Sequence, residues 1–297
     1  MRVVTLLPAA TEIVAALGDL RWLVGISHEC DYPPFIQHLP RVTTTSIDLE
    51  ARGSSIDAEV RRLCESGQPV IVVDGRQLRR LAPDLIITQQ LCEVCAVSDG
   101  QVHRLASAIH PAPRVLSLTA HDLEGIWNDI REVGDALDLK EEADELVLGL
   151  RTRLSRLGGS PSGGIARVLC IEWLDPPYLA GHWVPELVAA AGGEAVGTRA
   201  GSHSTRQDWP ELVRLRPDHL LVMLCGFGVE RARAELNLMA DPEALELMRR
   251  VPTWIIDGNA YTSRPGPRVV DGAARIHSAI QGRPARGLER WQPAGAC

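Results

Sequence analysis

LRRLAPDLIITQQLC (78–92) recurs in altered form as LVRLRPDHLLVMLC (212–225). Both stretches read L-x-x-L-x-P-D, then an apolar run of strand length, then a cysteine. Leucines three apart suit the last turn of a helix, proline stops it, and the apolar run that follows suits a buried strand. A second pair, EIVAALG (12–18) and ELVAAAGG (186–193), ends in glycine and follows an apolar strand, RVVTLL (2–7) or RVLCIEW (167–173). A strand, a helix closed by glycine, and a helix-Pro-Asp-strand unit thus occur once in each half. Strands alternating with helices predict parallel sheets. The chain reads as α/β, a duplication of two Rossmann-like lobes.

Between the halves, Leu139, Ala143, Leu146, Leu150, Leu154 and Leu157 recur at three- and four-residue spacing, with charges on the other face and Gly158-Gly159 at the end. This pattern predicts a connector helix over about 140–157, a run of about twenty residues and roughly 30 Å. We expect an N-terminal lobe over 1–118, a helical connector over 119–160, a C-terminal lobe over 161–281 and a tail over 282–297. A single rigid connector implies a ligand cleft between the lobes.

The composition excludes several classes. The 297 residues are 45% hydrophobic and 23% charged, with a net charge of −7, an ordinary globular balance. No Lys/Arg cluster is interleaved with aromatics, which argues against a nucleic-acid surface. Apolar stretches such as Leu220–Leu224 are too short to span a bilayer, so no membrane insertion is expected. The opening MRVVTLLPAATEIVAALGDL resembles a leader, but residues 2–18 match an internal segment and read as the first strand and helix. The expectation is a chain that begins at Met1 and a cytoplasmic protein. Seven cysteines, an odd number, then suit thiols or metal ligands better than a disulfide framework.

In open parallel sheets, ligands sit off the carboxyl ends of the strands. The candidate loops are SHECDYP (27–33), QQLCEVC (89–95), LDPPYLAGHW (174–183), LCGFG (224–228) and DGNAYTSRPGPR (257–268). The repeat places Cys92 and Cys225 at equivalent strand ends. Cys95 follows Cys92 at a spacing that lets two thiolates share a metal, and His28 and Cys30 follow another strand. His28, Cys30, Cys92, Cys95 and Cys225 therefore form a candidate metal set for Zn²⁺, an iron–sulfur cluster or a soft metal centre. The opposing view is that free cysteine is commonly a small buried hydrophobe. Cys64, Cys170 and Cys297 are read that way, as are Trp209 and Trp254 as packing residues. Arg264, ahead of Pro-Gly-Pro, has an extended backbone and a fixed guanidinium suited to an anionic or amide-rich ligand. Tyr178, His182 and Trp183 offer flat or hydrogen-bonding walls. No nucleophile elbow, phosphate loop, zincin motif or dinucleotide fingerprint is present, so no catalytic residue is assigned.

The chain resembles the helical-backbone (class III) substrate-binding proteins of ABC importers, and within them the cobalamin-binding branch. The residues that carry the resemblance are ATEIVAALG (10–18), VGISHECDYP (24–33) and the L-x-x-L-x-P-D-L-I-I run, and it spans about 2–280. It implies two lobes holding a corrinoid, haem, iron chelate or metal ion, with ligand contacts near Glu29, near Trp183 and on Tyr261 and Arg264. An aromatic wall of the family is replaced here by QQLCEVC, which adds Gln89 and Cys92 to the candidates. Two functions follow: a corrinoid-binding protein, or a cytoplasmic metalloprotein or enzyme holding an iron–sulfur cluster or zinc through Cys and His. Implied partners are a small-molecule metal chelate and either an ABC transporter or a corrinoid-using enzyme. The full candidate set for the ligand is His28, Glu29, Cys30, Gln89, Cys92, His182, Trp183, Cys225, Tyr261 and Arg264.

Overall fold

The computed structural model describes residues 1–18, 20–90, 99–158 and 164–292. The chain divides into two compact units, one of 1–51, 55–120 and 124–148, the other of 52–54, 121–123 and 149–297. Each is α/β.

In the first unit a parallel sheet has the order Leu23–Gly25, Val3–Thr5, Leu85–Gln89, Arg114–Leu118. Val3, Val4, Ile86 and Ile87 are wholly buried, as the continuous apolar runs require of strands covered on both faces. Each such side chain contributes about 1.5–3 kcal/mol through burial. A separate antiparallel pair joins Thr43–Thr45 to Ile71–Val73. The helix Pro8–Ala16 begins with proline, whose missing N–H costs nothing in a first turn. Gly18 takes φ +98° beyond its end, a left-handed conformation open to glycine.

In the second unit the central strands Ala166–Leu174, His219–Val222 and Thr253–Ile256 are parallel, and Gly193–Ala195 pairs parallel with the first of them. Antiparallel edge strands extend this core: Pro177–Leu179 and Thr205–Arg206 on one side, Leu288–Trp291 on the other. Leu288–Trp291 lies in the stretch read as a tail, yet its end residues Leu288 and Trp291 are both 6% exposed. The helix Val184–Ala190 repeats the device of the first unit, with proline in its first turn and Gly192 at φ +89° past its end.

The repeat has a structural lock. Asp84 accepts a hydrogen bond from the backbone N–H of Arg2 at 2.7 Å, and its own N–H donates to the Arg2 carbonyl at 2.8 Å. Asp218 does the same with Arg167, at 2.8 and 2.7 Å. In each case the arginine Nε reaches back to a carbonyl before the aspartate, that of Leu81 or of Arg216. Ala82 and Arg216 hold φ +41° and +49°, which turns the chain sharply from helix to strand. The Pro-Asp of L-x-x-L-x-P-D thus fixes the register of the neighbouring strand, which a sequence pattern alone does not disclose.

The connector region holds two helices, Leu123–Leu137 and Lys140–Ser155, with Asp138 at φ +58° between them. The second matches the expected helix. The first is an addition, and Gly134 explains the tight turn: a side chain there would run into Ala143 Cβ and approach the Leu139 carbonyl to 2.9 Å. Among the described residues no helix is long and apolar enough to cross a membrane.

Candidate functional site

The loop after Leu23–Gly25 is organised around one hydroxyl. Thr43 Oγ1 accepts from the His28 backbone N–H at 2.9 Å, lies 2.7 Å from His28 Nδ1 and donates to Ser27 Oγ at 3.0 Å. Arg41 donates from one guanidinium nitrogen to the carbonyls of Ser27 and Cys30. Burial first, and the Arg41 charge second, hold the His28 imidazole below its ordinary pKa. Cys30 is 1% exposed, and its Sγ lies 3.0 Å from Thr11 Oγ1, which in turn lies 2.6 Å from Thr5 Oγ1. Its thiol is part of a buried polar thread in the core. Glu29 is exposed, and Gln89 is half-buried at the end of its strand.

Of the expected Cys/His metal set, the structure describes His28, Cys30 and Cys225, the first two in the first unit and the third in the second. His28 and Cys30 belong to no group of three or more converging ligand atoms among the described residues. Thr43 and Thr11 give these two side chains hydrogen-bond partners inside the first unit. Cys92 and Cys95 lie outside the described residues, as does Cys297. Cys225 is exposed in the second unit, after His219–Val222, with its N–H donating to Glu172 at 3.0 Å. Cys64 lies exposed on a helix, and Cys170 is buried within a strand, where burial pushes its thiol pKa up.

The second unit gathers other sequence candidates. Trp183 is 4% exposed and donates from its indole N–H to the Thr262 carbonyl at 2.8 Å. Arg264, 6% exposed, donates to Asn259 Oδ1 at 2.7 Å. The Tyr261 ring lies under the Arg275 guanidinium at 4.0 Å, with Arg268 at 5.1 Å, and its hydroxyl accepts from Arg275. These groups build the 257–268 loop and tie it to Trp183. Arg264, expected as a ligand contact, bonds to Asn259 of the same loop.

His182 has two neighbours that sequence reading passed over, His121 and His203. One ring nitrogen from each of the three comes within 4.8 Å of the others. Ring centroids lie 5.9 Å apart for His121–His182, 5.5 Å for His121–His203 and 5.3 Å for His182–His203. His121 and His182 are half-buried, and His203 is exposed. Burial first, and then His203 and His121, push the His182 pKa down to about 4, so it is neutral near pH 7.

Backbone contacts create this meeting. The His182 N–H donates to the Ser202 carbonyl at 2.6 Å, the Gly201 N–H to the His182 carbonyl at 2.9 Å, and the Gly181 N–H to Ser204 Oγ at 3.2 Å. A side chain at Gly181 would strike the Ser202 carbonyl and come within 2.7 Å of the His203 backbone. Only glycine lets the two segments lie so close. His182 itself holds φ +52°, a strained left-handed conformation. On the His121 side, Asp129 accepts from the N–H groups of Thr119 and Ala120 at 3.1 Å each. Glu186 accepts from the Leu123 N–H at 2.8 Å. The available signal was a histidine just past a strand in LTAHDLEG and another in the turn RAGSHSTR, but neither has metal-ligand spacing to His182.

The fold is that of the two-lobed, helical-backbone substrate-binding proteins of ABC importers, as the sequence resemblance implied. No family model matches the chain. It is similar to a cobalamin-binding protein of Halobacterium salinarum, 25% identical over 94% of this chain and 69% of that protein. Among solved structures, it matches a periplasmic haem-binding protein of Pseudomonas aeruginosa with a TM-score of 0.73, at 21% identity and 99% coverage of both chains. It also matches the periplasmic vitamin B12 binding protein of Vibrio cholerae with a TM-score of 0.61, at 18% identity, covering 94% of this chain and 96% of that one.

These matches overturn the expectation of a cytoplasmic protein: the solved structures are of periplasmic proteins, which points to a place outside the cytoplasm. A core strand at Val3–Thr5 shows that this segment is part of the fold and says nothing of the compartment the fold occupies.

Proposed function

We propose that the protein binds a cobalt corrinoid and delivers it to an ABC importer. The observation that supports this reading is the similarity to a cobalamin-binding protein along 94% of the chain, together with a fold shared with haem- and vitamin B12-binding proteins. Haem-type tetrapyrroles are the neighbouring ligand class. The alternative of an iron–sulfur or zinc centre held by cysteines is not favoured by these similarities, and the Cys30 thiol lies against the Thr11 hydroxyl. Among the sequence candidates, the exposed Glu29 and Cys225 are proposed as ligand contacts, each within its own unit. Trp183, Tyr261 and Arg264 shape the loops from which contacts are made.

The test is a titration of the purified protein with cyanocobalamin and, separately, hemin, followed by visible absorption and tryptophan fluorescence. Cyanocobalamin should bind with a Kd of about 1 µM or tighter, a free energy near −8 kcal/mol, and more tightly than hemin. Binding of hemin alone would move the assignment to haem. Failure of both to saturate below about 100 µM would sink the tetrapyrrole reading.

A further inference from the structure

Three imidazoles meet in the second unit, and the function proposed above does not use them as a group. His121 Nδ1 and His182 Nδ1 are buried without a hydrogen-bond partner. A buried polar atom left unpaired costs about 1–3 kcal/mol, and two of them occur in one cluster. The left-handed backbone of His182 adds about 1–2 kcal/mol of strain at the residue that brings the group together. No carboxylate belongs to the trio, so mutual ion pairing does not explain why the rings converge.

We propose that His121, His182 and His203 form a binding site for a divalent first-row transition cation, separate from any tetrapyrrole. Neutral imidazole suits Zn²⁺, Ni²⁺ and Cu²⁺, and three protein nitrogens with an open fourth position make a familiar coordination set. Nitrogens sharing a tetrahedral ion at about 2.1 Å would lie roughly 3.4 Å apart. The present spread of up to 4.8 Å therefore has to contract by up to about 1.4 Å. The exposed His203 side chain has room to swing inward, while the His182 backbone is tied to Gly201 and Ser202 and His121 follows Thr119 and Ala120, whose N–H groups bond to Asp129. The arrangement is two fixed ligands and one closing ligand. Water or a small anion would complete the shell, since His203 stands at the surface.

The experiment is calorimetric titration of the tag-free full chain, stripped with chelator, with ZnCl₂ and with NiCl₂. Zn²⁺ should bind one per chain with a Kd of about 10 µM or tighter. His203→Ala, at an exposed position, should keep the wild-type melting temperature without metal yet lose Zn²⁺ affinity by more than the ~10–100-fold typical of outer-shell changes. His121→Ala should lose it to a similar extent. His38→Ala, an exposed histidine whose Nδ1 bonds to Phe35 in the first unit, should bind Zn²⁺ as the wild type does. Added Zn²⁺ should raise the melting temperature of the wild type and of His38→Ala, but not of His203→Ala. Equal Zn²⁺ binding by His203→Ala and the wild type, or no saturable binding by the wild type, would overturn the site. Cyanocobalamin titrations of the same variants keep the two ideas apart: corrinoid binding retained by His203→Ala confirms a separate site. Joint loss of both would refute that separateness.

Discussion

Gly181 offers a quantitative check on how the histidine cluster is held. Replacement by alanine places a methyl group against the Ser202 carbonyl, within 2.7 Å of the His203 carbonyl carbon and 2.8 Å of the Ser204 nitrogen. These are backbone atoms and cannot rotate away, so the 201–204 segment must retreat. Retreat strains or breaks three hydrogen bonds: His182 N–H to Ser202, Gly201 N–H to His182, and Gly181 N–H to Ser204 Oγ. At about 1 kcal/mol net for each, the loss is ~3 kcal/mol if all three go. If they survive, the overpacked contact itself costs about 1–3 kcal/mol. Either route lowers the melting temperature of the second unit by roughly 2–12 °C at about 2–4 °C per kcal/mol. The second consequence is specific to the cluster. His203 moves off with its segment, so Zn²⁺ affinity should fall at least tenfold even at temperatures where Gly181→Ala is folded. Differential scanning calorimetry and Zn²⁺ titration read the two effects separately. A Gly181→Ala protein that melts within about 1 °C of wild type and binds Zn²⁺ equally would show that the close approach of these segments does not hold the site.

Three further outcomes follow from the geometry. Asp84→Ala and Asp218→Ala should each destabilise their own unit by about 1–2 kcal/mol, because a charged acceptor is removed from a strand N–H; urea unfolding of each variant measures this. Asp129 has its carboxyl pKa raised to about 6, with burial as the largest cause and the neighbouring Glu132 a lesser one. The folded state then binds more protons than the unfolded one between about pH 4 and 6, so this group's contribution to stability falls as pH rises through that window. Asp129→Asn should flatten that slope in urea unfolding series run from pH 4 to 7, and an unchanged slope would refute the assignment. Cys30→Ala should cost about 1 kcal/mol of stability through the lost thiol packing and its Thr11 contact, and leave both cyanocobalamin and Zn²⁺ binding unchanged. Tenfold weaker binding of either by that variant would return Cys30 to the ligand set.

The architecture was legible because its signals are local. A leucine pair, a Pro-Asp stop and an apolar run lie within a dozen residues, and their recurrence in the second half announced the duplication before any contact was known. The antiparallel edges of the second sheet were harder. Pro177–Leu179 is three residues long, and Leu288–Trp291 carries two charges among its four positions, too little pattern to separate from loop. Site reading from residue type could not show each side chain's partner. Cys30 reads in sequence as a ligand at a strand end, and the structure adds that its sulfur lies 3.0 Å from the Thr11 hydroxyl in the core. Sequence does not record that Arg264 bonds to Asn259 within its own loop. The histidine trio is invisible in sequence for the opposite reason. Its members come from three distant segments that meet through backbone hydrogen bonds and one obligatory glycine, and no spacing records such a meeting.

The paired aspartate locks also bear on how the chain finds its fold. Each one closes a loop, of 82 residues between Arg2 and Asp84 and of 51 between Arg167 and Asp218. Closure entropy grows as about (3/2)RT ln n, so the first lock costs roughly 0.4 kcal/mol more to form than the second. The same chemical latch therefore snaps shut about twice as often in the C-terminal half of a collapsing chain. Duplication copied the latch but not the length of chain it must draw in, and a refolding experiment that reports on each half separately should find the later half of the sequence ahead.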